Sequence, residues 1–293
     1  MTRFTDKAIA QECDPNRGEV RGTIGGGKQV RGFSPLRRGF TLIELIVVMS
    51  IIAILMALLL CAVQATRETA RKVACSNNIK NQVLAVHEFH LARRYFPPGR
   101  DVTPAGEYSW CFQILPYLEQ PALHDQFDIS KPWSDPNGNW TAAQKPLAVF
   151  RCPTSQFDFP GDSDYGGVSG SLMSGTSTTF DTQNGVMIEV GVTRTGPLSI
   201  AGIRDGVSQT IIVAECTDRE PSEGGMWVTG HNCFSHDNGP INSEPSSEIF
   251  SYHPRGAFVG FADGAVRFLP QETPQKIVGS FCTRSGAEIV GAY

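Results

Sequence analysis

A long run of apolar residues, 42–63, limits what this chain can fold into more than any other feature of its sequence. The run has 22 residues, and Glu44 is its one charged side chain. At a rise of about 1.5 Å per residue, a helix of this length covers about 33 Å, which is enough to cross a bilayer. A buried helix of a soluble protein seldom continues this far without a polar face. The run therefore predicts a membrane-spanning helix, which we place at residues 40–64.

The charges on the two sides of this run differ in sign. Residues 1–39 hold eight basic and four acidic side chains, so their net charge is +4, whereas the whole chain has −4. Arg37 and Arg38 come directly before the run, and basic residues beside a membrane helix favour the cytoplasmic side. The segment 1–39 is therefore predicted to be a cytoplasmic leader, with the body of the chain across the membrane. An acidic body offers no electrostatic surface for nucleic acid, so no nucleic-acid partner is expected.

Three kinds of processing would fit this apolar segment. A secretory signal peptide could end near Ala65, but the apolar region of such peptides has about 7–15 residues. A lipoprotein signal could end before Cys61, although the bulky Leu60 suits that signal poorly. The third kind is indicated by the sequence Arg-Arg-Gly-Phe-Thr-Leu-Ile-Glu-Leu at residues 37–45. It resembles the prepilin cleavage and methylation motif of type IV pilins and type II secretion pseudopilins.

The prepilin resemblance implies roles for three residues, and it implies partners. A prepilin peptidase would cut after Gly39, on the cytoplasmic side of the inner membrane, and methylate the new N-terminal amine, that of Phe40. Glu44 would then pair with the N-terminal amine of another pilin-like subunit during assembly. A carboxylate within a bilayer costs at least a few kcal/mol, which by itself indicates a function. The alternative is a partly hydrated Glu44 near the membrane surface.

The helical pattern continues beyond the membrane segment. Between residues 40 and 95 the chain has neither proline nor glycine, and the Pro-Pro-Gly sequence at 97–99 predicts the stop. The apolar residues of the second half have helical spacing; they are Ile79, Val83, Val86, Leu84, Phe89 and Leu91. Residues 65–96 are therefore predicted to be an amphipathic continuation of the helix, packed on a globular head.

Residues 97–293 show short patterns separated by loops rich in Gly, Ser, Asp and Pro. Strand-like runs occur at 185–190, 209–215, 256–262 and 265–269, and a short helix is predicted at 110–120. The Asp-Gly pair at 263–264 tolerates the positive φ of a tight turn, so residues 258–269 predict a β-hairpin. The predicted fold class is α+β. A long N-terminal helix, transmembrane in its first half, packs on a β-rich globular head, as in pilins.

Several segments together resemble a second family. They are residues 70–82, 115–120, 150–153 and 205–211, followed by a His-x9-Asp-Gly pattern formed by His253, Asp263 and Gly264. This set is similar to the prepilin-type proteins that carry a domain of unknown function numbered 1559. The likeness runs in order over nearly all of residues 37–290. It implies a family to which no mechanism is attached.

Six cysteines lie in the body of the chain after the membrane segment. They are Cys75, Cys111, Cys152, Cys216, Cys233 and Cys282. An oxidising compartment favours disulfides, but six cysteines allow fifteen pairings. Because Cys75 and Cys152 both lie in segments that carry the second resemblance, that resemblance favours a disulfide between them, which would tie the helix to the head.

Two further groups of side chains could carry chemistry. His253 and Asp263 could form a catalytic or metal-binding pair, but the simpler interpretation is a hairpin turn at Asp263-Gly264 with His253 bonded to a neighbouring loop. Asp162 and Asp164 lie in an oxygen-rich run that could bind calcium, which takes several oxygen ligands, although a solvated acidic turn is simpler. Zinc is not expected because no C-x2-C pair occurs. Calcium at these two aspartates is thus the one cofactor considered.

Three functional hypotheses follow. The first is a structural, non-enzymatic subunit that assembles through its N-terminal helix in a secretion or pilus-like system, with its head periplasmic or at the cell surface. The second is a membrane-tethered protein that never polymerises and whose head binds a carbohydrate, a peptide or calcium. The third, a membrane-anchored hydrolase, has no nucleophile and base fixed together by the sequence.

Overall fold

The computed structural model describes residues 39–103, 106–172, 183–191, 196–237, 239–243 and 248–286. The predicted leader, residues 1–39, lies outside these ranges apart from Gly39. The chain divides into two compact units, residues 1–55 and 56–293, and each is described by itself.

The first helix, α1, comprises Leu42–Arg93. It ends where Arg94 takes a left-handed conformation with φ 69°, and the Arg94 N–H donates to the His90 carbonyl at 2.7 Å, as at many helix C-termini. The predicted long helix and its stop before the Pro-Pro-Gly sequence are therefore confirmed. Residues 39–67 are all exposed. Among the described helices, α1 is the one that is long and apolar enough to cross a membrane.

In the second unit, one face of α1 is buried against the head. The buried residues recur at intervals of three and four; they are Cys75, Ile79, Gln82, Val83, Ala85, Val86 and Phe89. The predicted stripe is thus confirmed at four positions, but it was wrong at Leu84 and Leu91, which are 46% and 68% exposed. At about 100° per residue these two side chains point roughly 120–140° away from Ile79, outside the face that meets the head.

The rest of the second unit is made of short strands and helices. They are β1 (Arg100–Thr103), β2 (Gly106–Ser109), α2 (Trp110–Ile114), α3 (Pro121–His124), α4 (Asn139–Ala143), β3 (Tyr165–Gly170), β4 (Glu189–Val190), β5 (Ile211–Glu215), β6 (Cys233–Ser235), β7 (Gly256–Phe261), β8 (Val266–Pro270) and α5 (Gln275–Cys282). The helix predicted at 110–120 is α2 followed by a 3-10 turn. The run 185–190 is buried in part, but only its last two residues are strand.

Two sheets form the head, one of three strands in the order β2-β1-β4 and one of five in the order β6-β3-β5-β7-β8. In the larger sheet β3 and β6 are parallel and the other neighbours are antiparallel. The side chains of strand β7 alternate between the two faces of this sheet, and each face packs against a different helix. Val259 and Phe261 share a core with α5. Gly260, on the opposite face, lies directly beneath Ile79 and Val83 of α1.

Candidate functional site

The N-terminus of α1 is closed by a reciprocal pair of side chains. The Thr41 N–H and hydroxyl donate to Glu44 Oε2 at 2.9 and 2.8 Å, and the Glu44 N–H donates back to the Thr41 hydroxyl at 3.3 Å. This is the capping box that a Thr-x-x-Glu sequence predicts at a helix start. The carboxylate predicted to serve assembly therefore also has a local role, which sequence analysis missed although the spacing was visible. Phe40, directly before the cap, is 74% exposed.

A second group of polar residues lies inside the head and comes from four separate parts of the chain. Cys75 lies on the buried face of α1, and Cys152 follows the 3-10 turn Ala148–Phe150. Glu215 is the last residue of β5, and His253 precedes β7. All four are at most 3% exposed. One donor atom from each lies within 4.8 Å of the other three. We call these residues the four-donor cluster.

The distances within the four-donor cluster fall into two classes. The Cys152 sulfur lies 3.7 Å from Glu215 Oε1 and 3.7 Å from His253 Nε2, and these last two atoms are 3.5 Å apart. The two sulfurs of Cys75 and Cys152 are closer, at 2.7 Å, and no covalent bond joins them. A disulfide bond is about 2.05 Å long, so at 2.7 Å the two sulfurs are in close contact but are not covalently joined.

Each of three donors is held from outside the cluster by a further hydrogen bond. His253 Nδ1 lies 2.8 Å from Glu68 Oε1 of α1. Glu215 Oε2 accepts from the Phe258 N–H at 2.7 Å, and the Thr154 hydroxyl lies 3.0 Å from the Cys152 sulfur. These bonds turn His253 Nε2, Glu215 Oε1 and the Cys152 sulfur toward one another.

The protonation of the cluster follows from these contacts. A hydrogen bond with Cys75 is the main cause that lowers the pKa of Cys152 to about 7, and the same bond raises the pKa of Cys75. Burial acts to lower the pKa of His253, but its contacts with Cys152, Glu215 and Glu68 raise it to about 10. Two sulfurs, an imidazole and a carboxylate can bind a metal ion.

Sequence analysis identified Cys75 and Cys152 as a pair and His253 separately, and it missed Glu215 of the cluster and Glu68 beside it. The structure brings Cys75 and Cys152 together as the resemblance implied, but the disulfide itself stays a prediction. One feature of the sequence could have indicated Glu215: it is the charged residue at the end of the apolar run 211–214.

The predicted hairpin is confirmed. Strands β7 and β8 pair antiparallel, Gly264 has φ 91°, and the Asp263 carboxylate accepts from the Ala265 N–H at 2.8 Å within the turn. Lys80 of α1 donates to the Gly264 carbonyl at 2.7 Å. His253 fits its simpler interpretation in part: it contacts Cys152, in the loop after the 3-10 turn, but it also contacts Glu68 of α1 and Glu215 of β5.

The two aspartates considered for calcium face a cation of the chain itself. Asp162 pairs with an Arg151 guanidinium nitrogen, and Asp164 Oδ2 lies 3.5 Å from Arg151 Nε while accepting from the Cys152 N–H at 2.7 Å. Burial raises the pKa of Asp164 to about 6, against the effects of these hydrogen bonds and of Arg151. Both are buried, so they form no solvated turn. Calcium binding here stays a prediction.

Two known families match parts of this chain. The family described as "Protein of unknown function (DUF1559)" matches residues 64–239, which is more than half of the chain. The protein belongs to this family. The prokaryotic N-terminal methylation motif matches residues 35–60, which confirms the prepilin resemblance. Comparison with curated proteins and with solved structures finds no match.

The DUF1559 match covers Cys75, Cys152 and Glu215, whereas His253 and the hairpin follow the matched residues. The methylation motif makes this DUF1559 protein pilin-like at its N-terminus and a target for prepilin processing. One long apolar helix after such a motif fits a single-pass membrane anchor. Proteins with these two features are in general structural and not enzymes.

Proposed function

We propose that this DUF1559 protein is a structural subunit, cut after Gly39 by a prepilin peptidase and N-methylated at Phe40. It assembles with other pilin-like subunits through the N-terminal part of α1, in a secretion or pilus-like system, and has no catalytic activity. Before assembly it is anchored in the inner membrane with its leader in the cytoplasm and its head in the periplasm or at the cell surface.

One observation carries the proposal. A cleavage motif stands directly before the apolar part of α1, residues 42–64, which is exposed throughout and has Glu44 as its only charged side chain. A helix that is apolar all round has to be covered by lipid or by other helices. A single buried carboxylate among such helices is costly unless it is paired, and a free N-terminal amine at Phe40 offers the matching charge.

N-terminal peptide mass spectrometry on the protein from the membrane fraction of its native host tests the processing. The expected result is a mature chain that begins with N-methylated Phe40. A lipidated Cys61, an N-terminus near residue 66 or an uncut leader would refute the proposal and leave an anchored or exported protein.

Two variants separate the charge of Glu44 from its capping role. Glu44→Gln removes the charge but keeps a side chain that a capping box accepts, and Thr41→Ala removes the cap but keeps the carboxylate. We expect both variants to insert into the membrane, only Glu44→Gln to be lost from sheared, pelleted filaments, and Thr41→Ala to assemble.

The other patterns of result would contradict the assembly role of Glu44. Loss of assembly in Thr41→Ala alone would mean that the cap matters and the charge does not. Normal behaviour of both variants, with no pelleted polymer even for the unmodified chain, would support the membrane-tethered binding protein.

A further inference from the structure

We propose that the four-donor cluster binds one zinc ion, which holds helix α1 on the head. The cluster supplies two cysteine sulfurs, one imidazole nitrogen and one carboxylate oxygen. Cysteine sulfur, histidine nitrogen and carboxylate oxygen are all ligands that zinc takes in protein sites, with metal–ligand distances of about 2.0–2.3 Å. No part of the inference depends on the assembly of the protein into filaments.

The spacing of the donors supports a tetrahedral ion. For zinc, those bond lengths place a sulfur about 3.6 Å from a nitrogen or oxygen ligand, and a nitrogen about 3.4 Å from an oxygen ligand. The Cys152 sulfur lies 3.7 Å from both Glu215 Oε1 and His253 Nε2, and these two atoms lie 3.5 Å apart. Three edges of the tetrahedron are therefore already in place.

The remaining measured edge, between the sulfurs of Cys75 and Cys152, has to open. It is 2.7 Å long, whereas two sulfurs on one zinc ion lie about 3.8 Å apart. The two cysteines lie on separate segments of the chain, so rotation about their χ1 angles can lengthen the sulfur–sulfur distance. Zinc binding displaces the thiol protons and any proton on His253 Nε2, all of which leave to solvent, and it involves no oxidation.

The surroundings of the cluster match those of metal ligands. A metal-bound histidine usually donates its second ring N–H to a carboxylate, and Glu68 Oε1 lies 2.8 Å from His253 Nδ1. The ligating glutamate is likewise fixed, because Glu215 Oε2 accepts from the Phe258 N–H. A site closed by four protein ligands is structural, not catalytic. Here it joins α1, β5 and two loops.

A disulfide between Cys75 and Cys152 is the competing chemistry. It would use two members of the cluster and leave His253 between the carboxylates of Glu68 and Glu215. A disulfide gives no reason for His253 Nε2 and Glu215 Oε1 to lie at the distances from the Cys152 sulfur that a zinc site requires. The two chemistries exclude each other, since zinc needs both sulfurs as thiolates.

The test uses the full chain, purified in detergent without chelator and without a metal-affinity tag. Elemental mass spectrometry is expected to find about one zinc per chain. After the metal is stripped under denaturing conditions, alkylation is expected to find Cys75 and Cys152 both reduced. Replacement of zinc by cobalt in the unmodified chain should give the visible and near-ultraviolet bands of a tetrahedral, thiolate-bound ion, a readout that needs no variant.

His253→Gln tests the ligand assignment, and His236→Gln is its matched control. His236 is also fully buried and lies beside a glutamate, Glu248, but it lies outside the cluster. We expect His253→Gln to lower the bound zinc at least tenfold and His236→Gln to leave it unchanged.

Three results would overturn the proposal. One is the absence of zinc from the unmodified chain, both as isolated and after incubation with zinc chloride. The second is a Cys75–Cys152 disulfide in the native chain. The third is equal zinc content in His253→Gln and His236→Gln.

Discussion

Gly260 allows helix α1 to rest directly on strand β7, and this contact gives a sharp prediction. A Cβ atom at position 260 would lie 2.5 Å from Val83 Cγ2 and 2.8 Å from Ile79 Cγ2, whereas carbon atoms in contact are about 3.5–4.0 Å apart. Both neighbours are fully buried, and β-branched side chains on a helix have one strongly preferred χ1. Gly260→Ala therefore forces the helix and the strand apart, at a cost of about 1–3 kcal/mol in unfolding free energy.

The same geometry predicts how the cost is relieved. Val83→Ala removes the methyl group that the new Cβ would strike, while the change alone leaves a cavity and costs about 1–3 kcal/mol. In the double variant the alanine at 260 fills part of that cavity. The double variant should therefore be more stable than the sum of the two single effects indicates, by about 0.5–3 kcal/mol.

Denaturant unfolding of the full chain in detergent measures these effects. All four tryptophans lie in the head, so their fluorescence reports its unfolding; they are Trp110, Trp133, Trp140 and Trp227. Leu84→Ala is the matched control, since Leu84 adjoins Val83 but is 46% exposed, and it should be additive with Gly260→Ala. If the effects of Val83→Ala and Gly260→Ala add to within about 0.5 kcal/mol, the close approach of α1 to β7 is refuted.

The long helix and the hairpin could be predicted because their signals are local. An uninterrupted stretch without proline or glycine predicts α1, and an Asp-Gly pair between two apolar runs predicts the turn of β7 and β8. The burial of Ile79 and Val83 followed from periodicity alone. The exposure of Leu84 did not follow from periodicity, because the width of the buried stripe depends on the surface that the helix meets.

The four-donor cluster could not be predicted, because its members lie far apart in the sequence. Cys75 and Cys152 are separated by 77 positions, and Cys152 and His253 by 101. The C-x2-C rule detects zinc sites whose ligands share a turn, and this cluster has no such pair. The pairing of β5 with β7, the docking of α1 and the bond from the Cys152 N–H to Asp164 bring the donors together, and these contacts depend on the register of the sheet.

Two further pairs of variants test which contacts stabilise the interior of the head. Arg151→Met would leave the buried carboxylates of Asp162 and Asp164 without their cation and should destabilise the head by about 3–5 kcal/mol. Asp158 also lies 3.5 Å from Arg151 but is 89% exposed, so Asp158→Asn should change the stability by less than about 1 kcal/mol. Equal effects of the two variants in thermal unfolding would contradict the role of the buried carboxylates. Gly224 and Gly206 both have positive φ, but a Cβ at Gly224 would lie 2.1 Å from a backbone carbonyl oxygen whereas one at Gly206 meets nothing within 4 Å. An alanine strains the backbone at either site and clashes only at Gly224. Gly224→Ala should therefore lower the unfolding free energy more than Gly206→Ala, each by more than about 1 kcal/mol. Equal losses would mean that the loop at Gly224 moves aside without cost.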